Sequence, residues 1–494
     1  MKLTVNGDIN AFYVQTLCMI FFPGEKFSET EEINEDTPVM EITVKNSDTA
    51  SYAKAILTYQ GKTAEAERTV EFSPDRTKQR TAKIAAGNVV LAVGCELLGY
   101  RPSWGMLTGV RPSKVAMEML LNCNSKAKVR KILNNDYFVI PKKAALATDI
   151  ARREQKIIGH PNIRDCSIYI SIPFCPSRCS YCSFVSYTTP KLLSLIPTYL
   201  EKLCDELNQI FDVVKELQLN LKTIYIGGGT PTILTPEQLE KLLILINNKT
   251  DVSTLEEFTL ESGRPDTITA EKLAVAKKYG ITRISVNPQS LNENVIKSIG
   301  RSHTIYEFYR AYDIAKNSGI KCINTDLIAG LPGDNFKYFS STLDKIIALE
   351  PENITVHTFC VKKAADILAQ NQSIYSIKGG DVGKCVDYSQ LRAQAAGYLP
   401  YYMYRQKNTV GNYENVGFAL EGTEGLYNIY MMEEVHSILA AGAGAVTKLV
   451  EYYPANIATT KIIRHFNPKY PYEYLDNYSC NKTIEEIKSF YASH

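Results

Sequence analysis

The chain has 494 residues, more than one hydrophobic core usually supports, so two or three domains are expected. It is 45% hydrophobic and 22% charged, with a formal net charge of +2, which excludes a dedicated, strongly basic nucleic-acid binder. No uninterrupted apolar run reaches the roughly 18 residues of a membrane span; the best, Gly87 to Tyr100, is shorter and carries Glu96. The opening MKLTVNGDINAFYV lacks a signal-peptide pattern, so a cytoplasmic protein is expected.

Residues 1–100 read as a small α/β domain with β-type runs at Ala11–Phe22, Val39–Val44, Ala53–Tyr59 and Thr69–Phe72. An apolar helical stretch follows, from Thr81 to Leu98. Residues 101–160 are helical in pattern and carry 12 Lys or Arg against 4 Asp or Glu. Such a segment is either a solvated helical face or a docking surface for something acidic.

From Ser167 the pattern becomes rhythmic. β runs at Ser167–Pro173, Thr223–Ile226, Glu257–Leu260, Arg283–Val286, Cys322–Ile328 and Asn353–Phe359 alternate with helical segments. Thr235-Pro236-Glu237-Gln238 spells an N-cap, an N1 proline and a capping box, and Thr269 caps the next helix, which stops at Gly280. Strands joined only through helices pair in parallel, and six such units predict an open, partial (β/α)6 barrel. After Lys363 the rhythm fades and tyrosine accumulates: 17 of the 31 lie between residues 330 and 494. The excess fits either an aromatic binding surface or packing beneath the barrel. The expected segments are 1–100, basic helical 101–163, barrel 164–362 and a tyrosine-rich C-terminal domain, 363–494.

Twelve cysteines are too few for a disulfide scaffold, and three of them, Cys175, Cys179 and Cys182, stand together in a C-x3-C-x2-C spacing just after the first barrel strand. Three thiols so close in a cytosolic chain point to metal. Zinc would need a fourth ligand nearby, yet the next Cys and His are Cys204 and His303. Three ligands suit a [4Fe–4S] cluster with one iron left open to a small molecule.

This motif, with Tyr181 before the last cysteine, resembles the radical S-adenosylmethionine (SAM) superfamily. The resemblance implies that SAM chelates the open iron, and that its reductive cleavage yields a 5′-deoxyadenosyl radical that abstracts hydrogen from substrate. Tyr169-x-x-Ile172-Pro173-Phe174-Cys175 and Gly227-Gly228-Gly229-Thr230-Pro231 resemble more narrowly the oxygen-independent coproporphyrinogen III oxidase family. Alone, GGGTP could be only a tight turn. The family positions that line the SAM pocket fall in order here: Glu261, Gln289, Arg301, Asp326 and Cys360, alongside Tyr169, Tyr181, Gly228, Gly229 and Thr230. The segments 402–408, 411–417, 105–112 and 441–445 resemble the HemZ-type coproporphyrinogen dehydrogenase branch.

Two positions depart from the pattern. Ser171 stands where much of the family has His, and Phe184 where the oxidases proper have a fourth Cys that is not a cluster ligand. The haem-chaperone branch also has an aromatic at that place. The resemblance implies oxidative decarboxylation of coproporphyrinogen III to protoporphyrinogen IX, fed by a one-electron donor such as flavodoxin or ferredoxin. A haem chaperone that keeps the cluster, or another radical reaction on a tetrapyrrole, are the alternatives. Arg405, Lys407 and Arg464 are candidate cations for the substrate's carboxylates.

Overall fold

Alternating burial in the first hundred residues builds a four-stranded sheet from β1 (Lys2–Gly7), β2 (Val39–Asn46), β3 (Ala50–Tyr59) and β4 (Lys62–Glu71), in that order. The computed structural model describes all residues except 30–33, 75, 123, 183, 361–379, 407–408 and 453–459. β1 and β2 are parallel and the other pairs antiparallel. Every second residue of β3 is buried, as a strand with one covered face requires, and the helix Lys78–Leu98 packs on β3 and β4. Thr77 caps that helix through the Arg80 amide, and Gly99 ends it in the left-handed region at φ 60°.

Two expectations fail here. Ala11–Phe22 is not a strand: Ala11–Cys18 is a helix, capped by Asn10, with Val14, Leu17 and Cys18 buried. Their spacing is that of a helical face, and this period outweighed the β-type residues. Lys78–Leu98 is also longer and more apolar than its Gly87–Tyr100 core suggested, enough by length and composition to cross a membrane. However, 67% of its apolar window is buried within the protein, as in a core helix.

The basic segment is helical as expected, in helices Pro112–Leu121, Lys126–Asn135 and Pro141–Ile158. Much of its charge is matched internally. Lys126 and Arg130 share Asp149, and Lys143 is fully buried against Glu414 at 2.5 Å. Glu414 also accepts from the Trp104 indole at 2.8 Å. These residues belong to one compact unit, 1–152 with 371–383 and 404–414; residues 153–370, 384–403 and 415–494 form a second.

The second unit is organised by six parallel strands in chain order: β5 (Asp165–Ile172), β6 (Asn220–Gly228), β7 (Glu257–Leu260), β8 (Arg283–Ser285), β9 (Cys322–Ala329) and β10 (Asn353–Thr358). This is the α/β partial (β/α)6 arrangement that the rhythm predicts. β7 is buried at all four residues, as strands covered on both faces must be. The capping box at Thr235 and the cap at Thr269 both form.

The rhythm fades after Lys363 because later strands join the same sheet without the βα repeat. β11 (Leu399–Arg405) and β12 (Glu414–Ala419) extend it beyond β10; β13 (Ser437–Ala441), β14 (Val446–Glu451) and β15 (Lys461–Phe466) extend it beyond β5, making eleven strands. β12 is antiparallel to β10, whereas β13 is parallel to β5.

Candidate active site

The polar residues that the sequence singled out lie along and beyond β5 to β9: Glu261 directly follows β7, Gln289 lies four residues past β8, Asp326 lies within β9 and Arg301 follows the helix Glu293–Ser298. β5 runs into the cysteine loop, which is held on both sides. The Cys175 amide donates to the Tyr187 carbonyl and the Ser180 amide to that of Ile299, at 3.0 Å each. Cys175 and Cys179 are buried and Cys182 half-buried. Burial pushes the Cys175 thiol up to about 11; a hydrogen bond from Thr230 opposes this, and Cys182 and Cys179 reinforce it. Cys175 therefore feels both of the other thiols.

Beneath them runs the glycine loop. Gly228 has φ +110°, and a side chain on Gly229 would meet the Phe174 carbonyl at 2.6 Å and the Cys175 sulfur at 3.0 Å. Only glycine lets this backbone pass so close to the cysteine loop. Thr230 sits 3.3 Å from the same sulfur.

Glu261 and Asp326 form a pair with opposite tendencies. Glu261 is pushed up to about 8 by desolvation and by Asp326. Burial works to raise Asp326 as well, but His357 and Asn324 outweigh it and hold this carboxyl below its ordinary value. The proton thus rests on Glu261 and the charge on Asp326. Asn287 locks Asp326 in place, donating from Nδ2 to Oδ2 at 2.8 Å and accepting from its amide at 3.0 Å.

Gln289 adopts φ +65°, its backbone tied to β9 through Asp326 and Ile328, while its buried Oε1 has no hydrogen-bond partner among the described residues. Arg301 donates to the carbonyls of Gly263 and Asn287 and to the Tyr181 hydroxyl, and its Nε likewise lacks a partner among the described residues. Buried polar atoms left open in an otherwise satisfied site are what a polar ligand completes. Tyr169 stacks with Tyr225 and Tyr427; ring centroids lie 6.1 Å from Tyr169 to Tyr225 and 4.5 Å from Tyr225 to Tyr427. Together they make a flat aromatic wall.

Cys360 is buried just past β10, the strand next to β9. Arg464 and Arg405 make other contacts. Arg464 lies on the outermost strand, β15, 3.1 Å from Glu434. Arg405 belongs to the other unit, where it is buried against Trp104 and donates to the Leu107 carbonyl; desolvation lowers its guanidinium to about 10. It is a core cation, not a surface one. Lys407 lies outside the described residues.

Sequence reasoning missed Arg264, Asn287, Tyr225 and Tyr427. Asn287 was discoverable as a polar residue at a strand end, two before Gln289. Tyr427 is brought to Tyr225 by tertiary structure alone. The role of residues 441–445 becomes visible here too. Gly442, at φ +96°, abuts the Ser171 carbonyl, and Ser171 donates to the Ala443 carbonyl at 2.9 Å. Ser171 thus ties β5 to the loop after β13.

Residues 169–346 match the family model described as the radical SAM superfamily. The chain is 39% identical over 430 residues to the oxygen-independent coproporphyrinogen-III oxidase-like protein HemZ of Bacillus subtilis (strain 168), covering 85% of this chain and 84% of that one. It belongs to the coproporphyrinogen oxidase-like radical SAM family. Within that family it is also similar to the heme chaperone HemW of the same organism, at 31% identity over 56% of this chain and 70% of the relative. A solved structure of Escherichia coli coproporphyrinogen III oxidase (HemN) aligns at 18% identity and TM-score 0.49, covering 67% of this chain and 72% of that one.

Members of the superfamily use a [4Fe–4S] cluster and SAM. Among the described residues, no three His, Cys, Asp or Glu side chains converge as around a single ion. A cubane presents three different irons to its three thiolates, so its ligands stand wider apart than those of one ion. The donor set fits: three thiols of which Cys175 feels the other two, a glycine cradle against one of them, and open polar atoms on Gln289 and Arg301.

Proposed function

We propose that this is a cytoplasmic enzyme that oxidatively decarboxylates two propionates of coproporphyrinogen III to vinyl groups, giving protoporphyrinogen IX without oxygen. The observation that carries this is the HemZ match across 85% of the chain. Cys175, Cys179 and Cys182 would hold the cluster. Glu261, Gln289, Arg301 and Asp326, with Tyr169, Tyr181, Gly228, Gly229, Thr230 and Cys360 around them, would hold SAM. When bound, these cofactors supply a hydrogen-abstracting radical.

The residues' own tasks follow from their chemistry. Arg301 presents a fixed cation to a carboxylate. Asp326 keeps a charge that suits an ammonium, and protonated Glu261 can donate to a hydroxyl. The tyrosine stack excludes water and offers a plane to an aromatic group. An external one-electron carrier of flavodoxin or ferredoxin type would reduce the cluster, with exposed Lys128 and Lys131 assisting its approach.

The test is anaerobic incubation of reconstituted protein with SAM, reductant and coproporphyrinogen III. Protoporphyrin after oxidation is the expected result. A second reading, delivery of haem, is favoured by the HemW match and by Phe184, an exposed aromatic two residues past Cys182. Stoichiometric haem binding without porphyrinogen turnover would select it.

A further inference from the structure

Arg264, four residues past the end of β7, has no place in the functional reading above, yet it is 3% exposed and its Nη1 and Nη2 reach the cysteine loop. Its Nη1 donates to the Ser177 carbonyl at 3.1 Å and lies 3.7 Å from the Cys179 sulfur. Nη2 donates to the Ser177 and Ser302 hydroxyls, at 3.0 and 3.1 Å. On its other side Nε and Nη2 hold Asp266 as a two-point pair, at 3.2 and 3.1 Å. Asp266 in turn accepts from Ser302 at 2.8 Å. The second tether of the loop ends on the same turn, since Ser177 donates to the Gly300 carbonyl at 3.0 Å.

A buried guanidinium needs compensating charge, and among the described residues one carboxylate, Asp266, is paired with it. Its remaining face is turned to a group that becomes anionic on binding iron, the Cys179 sulfur. We infer that Arg264 is a positioning residue for the cluster, orienting the cysteine loop through Ser177 and placing a fixed positive charge beside Cys179 that eases reduction. This rests on the cluster being held by Cys175, Cys179 and Cys182. Reduction adds one electron, hence one negative charge, to the cluster; a cation beside a ligand sulfur favours that state, and an anion beside the same cation opposes it.

The geometry gives the two partners opposite signs, which a merely structural role would not. The experiment uses the full chain as wild type, Arg264→Lys, Arg264→Gln and Asp266→Asn, each reconstituted anaerobically with iron and sulfide. Iron per chain is measured, and the midpoint potential is read from a reductive titration followed by visible absorbance. Arg264→Gln should shift the midpoint to more negative values, Arg264→Lys should restore most of the shift, and Asp266→Asn should move it to more positive values. Shifts of the same sign in Arg264→Gln and Asp266→Asn, or none in either, would overturn the inference. Should Arg264→Gln fail to take up iron, Asp266→Asn decides alone: a rise supports the inference, and no change or a fall refutes it. A wild-type chain that takes up no iron would remove the cluster assignment itself, and this inference with it.

Discussion

Two carboxylates in the second unit, Glu206 and Glu261, make opposite use of the same chemistry. Glu206 accepts from the Gly442 amide, the Asn467 amide group and the hydroxyls of Tyr474 and Tyr478, at 2.6 to 3.0 Å. Glu261, just past the end of β7, has for its carboxyl the Gly228 backbone as hydrogen-bonding influence and faces the charge of Asp326. Around Glu206 the donors form a closed set that pins the loop after β13 to the helix Ile196–Glu216. Around Glu261 and the cysteine loop, Gln289 Oε1, Arg301 Nε, the Ser180 hydroxyl and both ring nitrogens of His303 lack partners among the described residues. Saturation marks a structural joint, and open polar atoms mark a site kept for a ligand.

The largest expected effect lies at the open site. Cys179→Ala should lose cluster iron and abolish SAM cleavage, whereas buried Cys204→Ala, away from the loop, should leave both intact; iron and 5′-deoxyadenosine assays check this. At the closed joint, Glu206→Ala strands four donors and should cost on the order of 3 kcal/mol or more in urea unfolding, with little change in the affinity of the folded protein for SAM.

Arg301→Ala removes a charge-assisted contact from a desolvated site and should weaken SAM binding by on the order of 2–4 kcal/mol, read by titration calorimetry. Asp326→Asn should weaken it less. A pH series then sharpens the contrast. Because the carboxyl of Glu261 is raised in the fold to about 8, its contribution to stability is complete below the unfolded pKa of roughly 4.3 and is lost as pH rises through the folded value. Wild type and Glu261→Gln should therefore melt most alike near acid pH, and the variant should gain relative stability by about pH 8.5. The smallest effect belongs to Lys128→Glu with Lys131→Glu, which should slow carrier-driven turnover at low salt and leave dithionite-driven turnover unchanged.

The sequence exposed what is local. The six parallel strands could be read because each is a short apolar run between capped helices, and the cysteine triplet because its ligands lie within eight residues. Polar residues such as Gln289, past the end of β8, and Arg301, after the helix Glu293–Ser298, became legible only through a family resemblance. Arg264 stayed hidden because one arginine in a loop has no period and no spacing partner. Nor could local pattern show that Ser171 meets Ala443, 272 residues away. The helix at Ala11–Cys18 was misread because eight residues hold only two turns, too few for its period to stand out from its β-type composition.

The parallel pairing of β13 with β5 also bears on how the molecule is assembled. The strand that leads into the cysteine loop gains its second neighbour only after the ribosome has passed Ala441. At the usual pace of synthesis, ~5–20 residues per second, that wait is on the order of 10–50 seconds. During this interval one edge of β5 stays unpaired and open to wrong partners. A cluster inserted then would rest on an unfinished strand, so iron–sulfur delivery to this protein fits best at the close of translation.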